Sequence, residues 1–148
     1  MADIKSTEER SRNMAAIRSK DTKPEVYLRK LLFSKGFRYR KNVSYIPGHP
    51  DMWLKKYNTA IFVNGCFWHR HKGCKYAYFP KSREEFWQEK FKKNIQRDEK
   101  VKMELNTSGV RCLVVWECTV HRIKKENEDQ TIKQICCFLR SDSMYMEV

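Results

Sequence analysis

The stretch Gly65-Cys66-Phe67-Trp68-His69-Arg70-His71-Lys72-Gly73-Cys74 constrains this chain more than any other ten residues. Thiols, imidazoles and large aromatics stand together between loop-forming glycines, a mixture that an apolar core does not hold. Cys66, His71 and Cys74 are soft and borderline donors at the short spacing of a tetrahedral Zn2+ site. His69 is left over between them, an imidazole on a constrained loop that can move a proton near neutral pH. A closed structural site needs a fourth ligand, and Cys112, Cys118, His121, Cys136 and Cys137 are available. Cys112 lies inside an apolar strand pattern and is expected to pack in the core. Cys136 and Cys137 sit mid-helix. Cys118 follows a strand end, where a side chain can leave the sheet, and is the expected fourth ligand.

The 148 residues suit one domain, residues 1–148, with a real core. The 31 Lys and Arg against 18 Asp and Glu give a net charge of +13, the footprint of a polyanion partner such as nucleic acid. No apolar run approaches the roughly twenty residues that span a bilayer, so a membrane partner is not expected. Met1-Ala2-Asp3-Ile4-Lys5-Ser6 lacks an apolar signal region, which predicts a cytoplasmic protein. The six cysteines are then expected as thiols and metal ligands rather than disulfides.

Residues 1–20 form a basic segment, read as a helix over 8–19. Asp21-Thr22-Lys23-Pro24 starts a second helix, with Tyr27, Leu28, Leu31 and Leu32 on one face and Gly36 as the stop. Alternation predicts a strand from Phe37 to Val43. Asp51–Leu54 and Thr59–Val63 follow as a hairpin across Lys55–Asn58. Ser82 with Glu85 reads as a capping box for a long helix ending near Asn106. Val110–Glu117 is a fourth strand. Residues 123–148 hold a last helix, over 128–140, and a tail. The expected fold is a mixed α/β class: a central mixed sheet flanked by helices, because strand four returns after a helical crossover.

Three acidic residues stand out. Asp51, fixed by Pro50 at a strand start, offers hard oxygen suited to Mg2+. The hairpin brings Phe62-Val63-Asn64 beside it, followed by the loop with His69. On the long helix Trp87, Phe91, Ile95, Val101 and Leu105 form a stripe that includes Asp98. A carboxylate on such a face needs a partner, and a bond to His69 would satisfy it and orient the imidazole as a base. Glu25 lies in a first helical turn, where the dipole favours it. Phe67, Trp68, Tyr76, Tyr78, Phe79, Phe86 and Trp87, interleaved with Arg70, Lys72, Lys75 and Lys81, read as a stacking surface. Phe67 and Trp68, with Met14 among Arg10, Arg12 and Arg18, are candidate wedges between base steps.

Over residues 8–122 the chain resembles the very-short-patch repair (Vsr-type) endonucleases. The matching blocks are Arg10-Ser11-x-Asn13-Met14, Asp21-Thr22-x2-Glu25, Pro47-Gly48-x-Pro50-Asp51, Phe62-x2-Gly65-Cys66-Phe67-Trp68-His69-x-His71, Phe86-Trp87-x2-Lys90, Asn94-x3-Asp98 and Val114-Val115-Trp116-Glu117-Cys118. The resemblance implies a type II restriction-endonuclease-like fold with a structural zinc on Cys66, His71, Cys74 and Cys118. It implies nicking of duplex DNA 5′ of the T in T:G mismatches left by deamination of 5-methylcytosine. Asp51 and the Val63 carbonyl would hold Mg2+, His69 with Asp98 would activate water, and Glu25 would orient water around the ion. Met14, Phe67, Trp68 and Trp87 would intercalate, with Arg10, Arg12 and Asn13 also on DNA. Where the family commonly has Thr-His this chain has Val63-Asn64, so a phosphate-directed imidazole becomes the neutral amide of Asn64. A monomer suffices to nick one strand, and a MutL-type mismatch-repair partner is implied by the family. The alternatives from the residues are a restriction-type nuclease of the same fold with another target, and a zinc-stabilised DNA-binding module without catalysis.

Overall fold

A computed structural model describes residues 21–126 and 129–148. The expected helix over 8–19, with Arg10, Arg12, Asn13 and Met14, lies outside the described residues. The first described helix, α1 (Lys23–Ser34), starts where Thr22 caps it. The Thr22 Oγ1 accepts the Glu25 N–H at 3.4 Å, and Pro24 sits in the first turn. Such a cap contributes about 1 kcal/mol. Strands β1 (Arg40–Lys41), β2 (Met52–Leu54) and β3 (Thr59–Asn64) follow, a short 3-10 turn at Lys55–Tyr57 joining the last two. Helix α2 (Glu84–Thr107), strand β4 (Arg111–Trp116), helices α3 (Glu117–Glu126) and α4 (Asp129–Arg140) and strand β5 (Tyr145–Glu147) complete the order.

The sheet runs β1-β2-β3-β4-β5, antiparallel up to β3 and parallel from β3 to β5. The period of two along each strand divides its side chains between two layers. Leu113 and Val115 join Met52, Leu54 and Ile61 on one face, packed with Leu28 and Leu32 of α1, Val120 and Ile123 of α3, and Ile132, Ile135 and Leu139 of α4. Cys112, Val114 and Trp116 turn the other way, with Trp53, Ala60 and Leu105 of α2. Every residue of β4 is buried, as expected for a central parallel strand covered on both faces.

Four details depart from the sequence expectations. The strand expected over Phe37–Val43 shrinks to Arg40–Lys41, because it lies at the sheet edge and pairs only with β2. The Ser82–Glu85 capping box does not form. The chain enters α2 through Arg83 in a left-handed conformation (φ 56), with no side-chain cap, and its guanidinium lies 4.4 Å from the Phe86 ring centroid. Strand four ends at Trp116, and Glu117 already begins α3, a helix the pattern did not reveal. The tail after α4 carries β5, tied to β4 by mutual bonds between Val114, Trp116 and Val148.

Arg111, buried in β4, explains the hold on that tail. Its guanidinium donates to the Leu139 carbonyl at 3.1 Å and to that of Phe138, buried carbonyls in the last turn of α4, while Nε reaches the Ser143 carbonyl at 2.8 Å. A cation there complements the carbonyl end of the helix, where Phe138 also accepts from Ser141. No helix among the described residues is long and apolar enough to cross a membrane.

Candidate active site

The strand register accounts for the metal cluster. Asn64 of β3 is the Cα partner of Trp116 of β4. Two residues past each of these partners stand Cys66 and Cys118, so the parallel pair delivers both thiols to the same end of the sheet. The loop after Cys66 turns back through His71 N–H to Cys66 O (2.9 Å) and Cys74 N–H to His71 O (3.2 Å), adding the remaining donors. The candidate ligand atoms of Cys66, His71, Cys74 and Cys118 lie within 4.8 Å of one another, the one such group among the described residues. Three thiols and an imidazole at tetrahedral spacing suit a soft or borderline ion such as Zn2+. Without an ion, burial pushes the Cys66 thiol up to about 12, so a metal would have to displace a proton there.

The His71 ring stacks on Trp116, 4.2 Å between centroids and 8° apart. The Trp116 indole donates to Glu147 Oε1 at 2.7 Å, and the Tyr145 hydroxyl donates to Glu147 Oε2 at 2.8 Å. The unforeseen β5 therefore braces a cluster residue through its neighbour. Nothing in the spacing of the tail signalled this contact.

On the other side of β3 lie the carboxylates. Pairing of β2 with β3 sets Asp51 beside the end of β3, and the Val63 N–H donates to Asp51 Oδ2 at 2.6 Å. A strand residue presents its N–H and C=O on the same edge, so the Val63 carbonyl also faces the Asp51 side. Glu25, only 3% exposed, borders the same space from α1. Burial and the adjacent Glu25 charge push Asp51 up to about 7, although the Val63 N–H and Arg29 pull the other way. A buried and a half-buried carboxylate at one point favour a cation beside Asp51, in addition to the Arg29 guanidinium on Glu25.

Arg29 holds Glu25 in place, and sequence reasoning missed it. Its guanidinium donates to Glu25 Oε2 at 3.0 Å, to Asp21 Oδ1 at 2.7 Å and to Asn42 Oδ1 at 3.4 Å. The Asp21 N–H reaches the same Glu25 oxygen at 2.8 Å. The i,i+4 spacing of Glu25 and Arg29 was the available signal. The loop that delivers Asp51 is also constrained. At Gly48 (φ +83) a Cβ would stand 2.5 Å from Val101 Cγ1 and 3.0 Å from the Phe62 ring, so only glycine fits.

His69 and Asp98 meet as expected. His69 Nδ1 and Asp98 Oδ2 are 2.7 Å apart, both side chains about one-third exposed. The stripe that carries Asp98 differs from the expected one: Ile95 is 45% exposed, while Asn94 is buried. Phe91, Asn94, Asp98, Val101 and Leu105 are the inward row. Polar Asn94 belongs there because its amide donates to the Trp68 carbonyl at 2.9 Å, fastening the His69 loop one helical turn from Asp98. Glu25, Asp51, Val63, Asn64, His69 and Asp98 all line one open cleft of about 910 Å3. His69 bonds to Asp98, and Asp51 bonds to Val63 across that space.

Phe67 sits at the centre of an aromatic cluster, its ring centroid 5.1–5.4 Å from those of Trp68, Tyr78, Trp87 and Phe91. Phe67, Trp68 and Trp87 are half-buried, whereas Tyr78 and Phe86 are exposed. Arg70, expected among the cations facing a partner, instead turns inward against Phe91.

Comparison with known proteins agrees with this geometry. Residues 2–75 match the family model for the DNA mismatch endonuclease Vsr. The type II nicking enzyme V.NmeAIP of Neisseria meningitidis serogroup A is 46% identical over 137 residues, 91% of this chain and 97% of that protein. The DNA mismatch endonuclease Vsr of Escherichia coli K12 is 38% identical over 91% of this chain and 86% of its own length. The type II nicking enzyme V.XorIIP of Xanthomonas oryzae is 42% identical over 80% and 86% respectively. With carboxylates and an imidazole on one cleft and a candidate metal cluster at the end of the same sheet, the chain belongs to the Vsr family of DNA mismatch endonucleases.

Proposed function

We propose that this endonuclease nicks duplex DNA 5′ of the thymine in T:G mismatches arising from deaminated 5-methylcytosine, as a cytoplasmic monomer. The observation that carries the reading is the convergence of Asp51, Glu25 and the His69–Asp98 pair on one cleft of a strongly basic chain. Asp98 accepts the Nδ1 proton of His69 and so leaves Nε2 free to take a proton from water. Asp51 and the Val63 carbonyl would hold Mg2+, with Glu25, fixed by Arg29, orienting water beside it. When bound, that ion polarises the scissile phosphate and stabilises the leaving oxygen. Cys66, His71, Cys74 and Cys118 would hold a structural Zn2+. Phe67, Trp68 and Trp87, joined by Met14, would enter the base stack, and Asn64 would donate to a phosphate.

The test is a nicking assay with Mg2+ on T:G, T:A and C:G duplexes in one sequence context, repeated over a panel of flanking bases. Cleavage confined to T:G, on the thymine strand, supports the reading. Equal cutting of T:A would favour a restriction-type target, and tight binding without cutting a DNA-binding module.

The Asp51 environment yields a second expectation. A carboxyl raised to about 7 in the folded, metal-free protein stabilises it fully below the unfolded value near 4. That contribution is lost as pH rises through about 7. Without divalent ions the melting temperature should fall between pH 5 and 8. Added Mg2+ should raise it more at pH 8 than at pH 5.5, where protons compete for Asp51. A Mg2+ effect equal at both pH values would remove Asp51 from the proposed ligand set.

A further inference from the structure

We infer that Arg70 is a positioning residue that fixes the aromatic wedge in its DNA-ready form before DNA arrives; this rests on the wedge reading above. The guanidinium makes a set of contacts no surface cation needs. Nη1 donates to the Phe67 carbonyl at 3.1 Å and to the Tyr78 carbonyl at 3.1 Å, and Nη2 donates to the Ala77 carbonyl at 2.8 Å. One side chain thus joins the start of the loop to a segment ten residues later. Its plane also covers Phe91 of α2, 3.8 Å from the ring centroid, with Phe67 at 5.5 Å. The loop is therefore fastened to itself by hydrogen bonds and to the helix by a cation–π contact. Arg70 adopts φ 55, a conformation that costs a non-glycine residue energy and is held only because the contacts outweigh it.

This device is separate from the metal cluster. His71 and the three thiols tie the loop to the strand ends, whereas Arg70 ties its aromatic half to α2, where Trp87 and Phe91 complete the hydrophobic cluster. A surface ordered in advance does not spend binding energy on ordering its loop and rotamers. Lysine would keep the charge but cannot fork to three carbonyls and stack at once.

The experiment places 2-aminopurine beside a T:G mismatch and titrates the full chain without Mg2+, following the fluorescence rise on unstacking. Single-turnover nicking with Mg2+ is then measured over the same concentrations. Arg70→Lys and Arg70→Met should need about tenfold more protein for half the rise, with an unchanged nicking rate at saturation. Variants that titrate like the wild type overturn the inference. So does an unchanged midpoint with a reduced saturating rate, which would place the effect on His69 instead. A wild type that gives no rise removes the wedge reading, and this inference with it. Hydrogen exchange on the free wild-type chain needs no variant: protected amides over residues 67–78 support the inference, and freely exchanging ones overturn it.

Discussion

Replacing His69 by alanine is expected to reduce nicking by about 10³-fold while mismatch binding stays nearly intact. The imidazole stands 2.7 Å from Asp98 at the cleft wall, so its removal deletes a proton acceptor without disturbing the sheet. Asp51→Ala should be at least as severe, because it removes the hard ligand on which the proposed ion depends. Asp98→Asn separates a base from its orienter. The amide can still bond to His69 but favours the wrong tautomer, and a loss of about 10²-fold or more is expected. The three variants act on one unit, so combining His69→Ala with Asp98→Asn should cost little more than His69→Ala alone. Single-turnover nicking and equilibrium binding of a T:G duplex check this together. A His69→Ala enzyme that cuts at the wild-type rate would sink the assignment. So would losses that simply multiply.

Much of this site was legible because its signals are local. The ten residues from Gly65 to Cys74 announce a candidate metal loop by spacing alone. Cys118 followed from asking which cysteine leaves a strand end, and the parallel register of Asn64 with Trp116 is the physical reason its thiol lies near Cys66. The partnership of His69 with Asp98 was legible from the cost of leaving a carboxylate unpaired on an inward row. What stayed hidden was mostly long-range. Arg29 looked like one more cation until folding set Asn42 and Asp21 beside it. Glu147 has no pattern around it, and only pairing of β5 with β4 carries it to the Trp116 indole. Ile95 was misplaced because an apolar residue was assumed to own the stripe, when the Trp68 carbonyl required a donor from Asn94. Helix α3 was missed because its buried side, Thr119, Val120 and Ile123, is too short to show a clear period.

Removing the proposed metal from the Cys66 cluster should be the most damaging change to the structure, and its damage should be confined first to the loop. Apart from its side-chain contacts, that segment is held by isolated turns: His69 N–H to Gly65 O at 3.0 Å, His71 N–H to Cys66 O at 2.9 Å and Ala77 N–H to Cys74 O at 3.0 Å. No strand pairing stabilises it, so bonds to the proposed ion would act together with Arg70, Asn94 and Asp98 to define where Phe67, Trp68 and His69 stand. Structural zinc contributes on the order of 10 kcal/mol in small zinc-dependent folds. Here two buried clusters flank the sheet, so the body should stay folded with a melting temperature lowered by more than 10 °C, as a loss of several kcal/mol requires. Cys118→Ser and chelation of the wild type should agree: metal content falls from about one equivalent to near zero, nicking disappears, and far-UV circular dichroism keeps most of its helical signal. Cys137→Ser, at an exposed thiol outside the cluster, should change neither metal content nor nicking. The order of events distinguishes the role. A metal that acted only as a staple for the whole chain would be lost together with the helices. Loss of a metal that only places the proposed catalytic imidazole should abolish nicking while α1 and α4 remain packed against the sheet, because the buried core they share with it includes no residue of the loop.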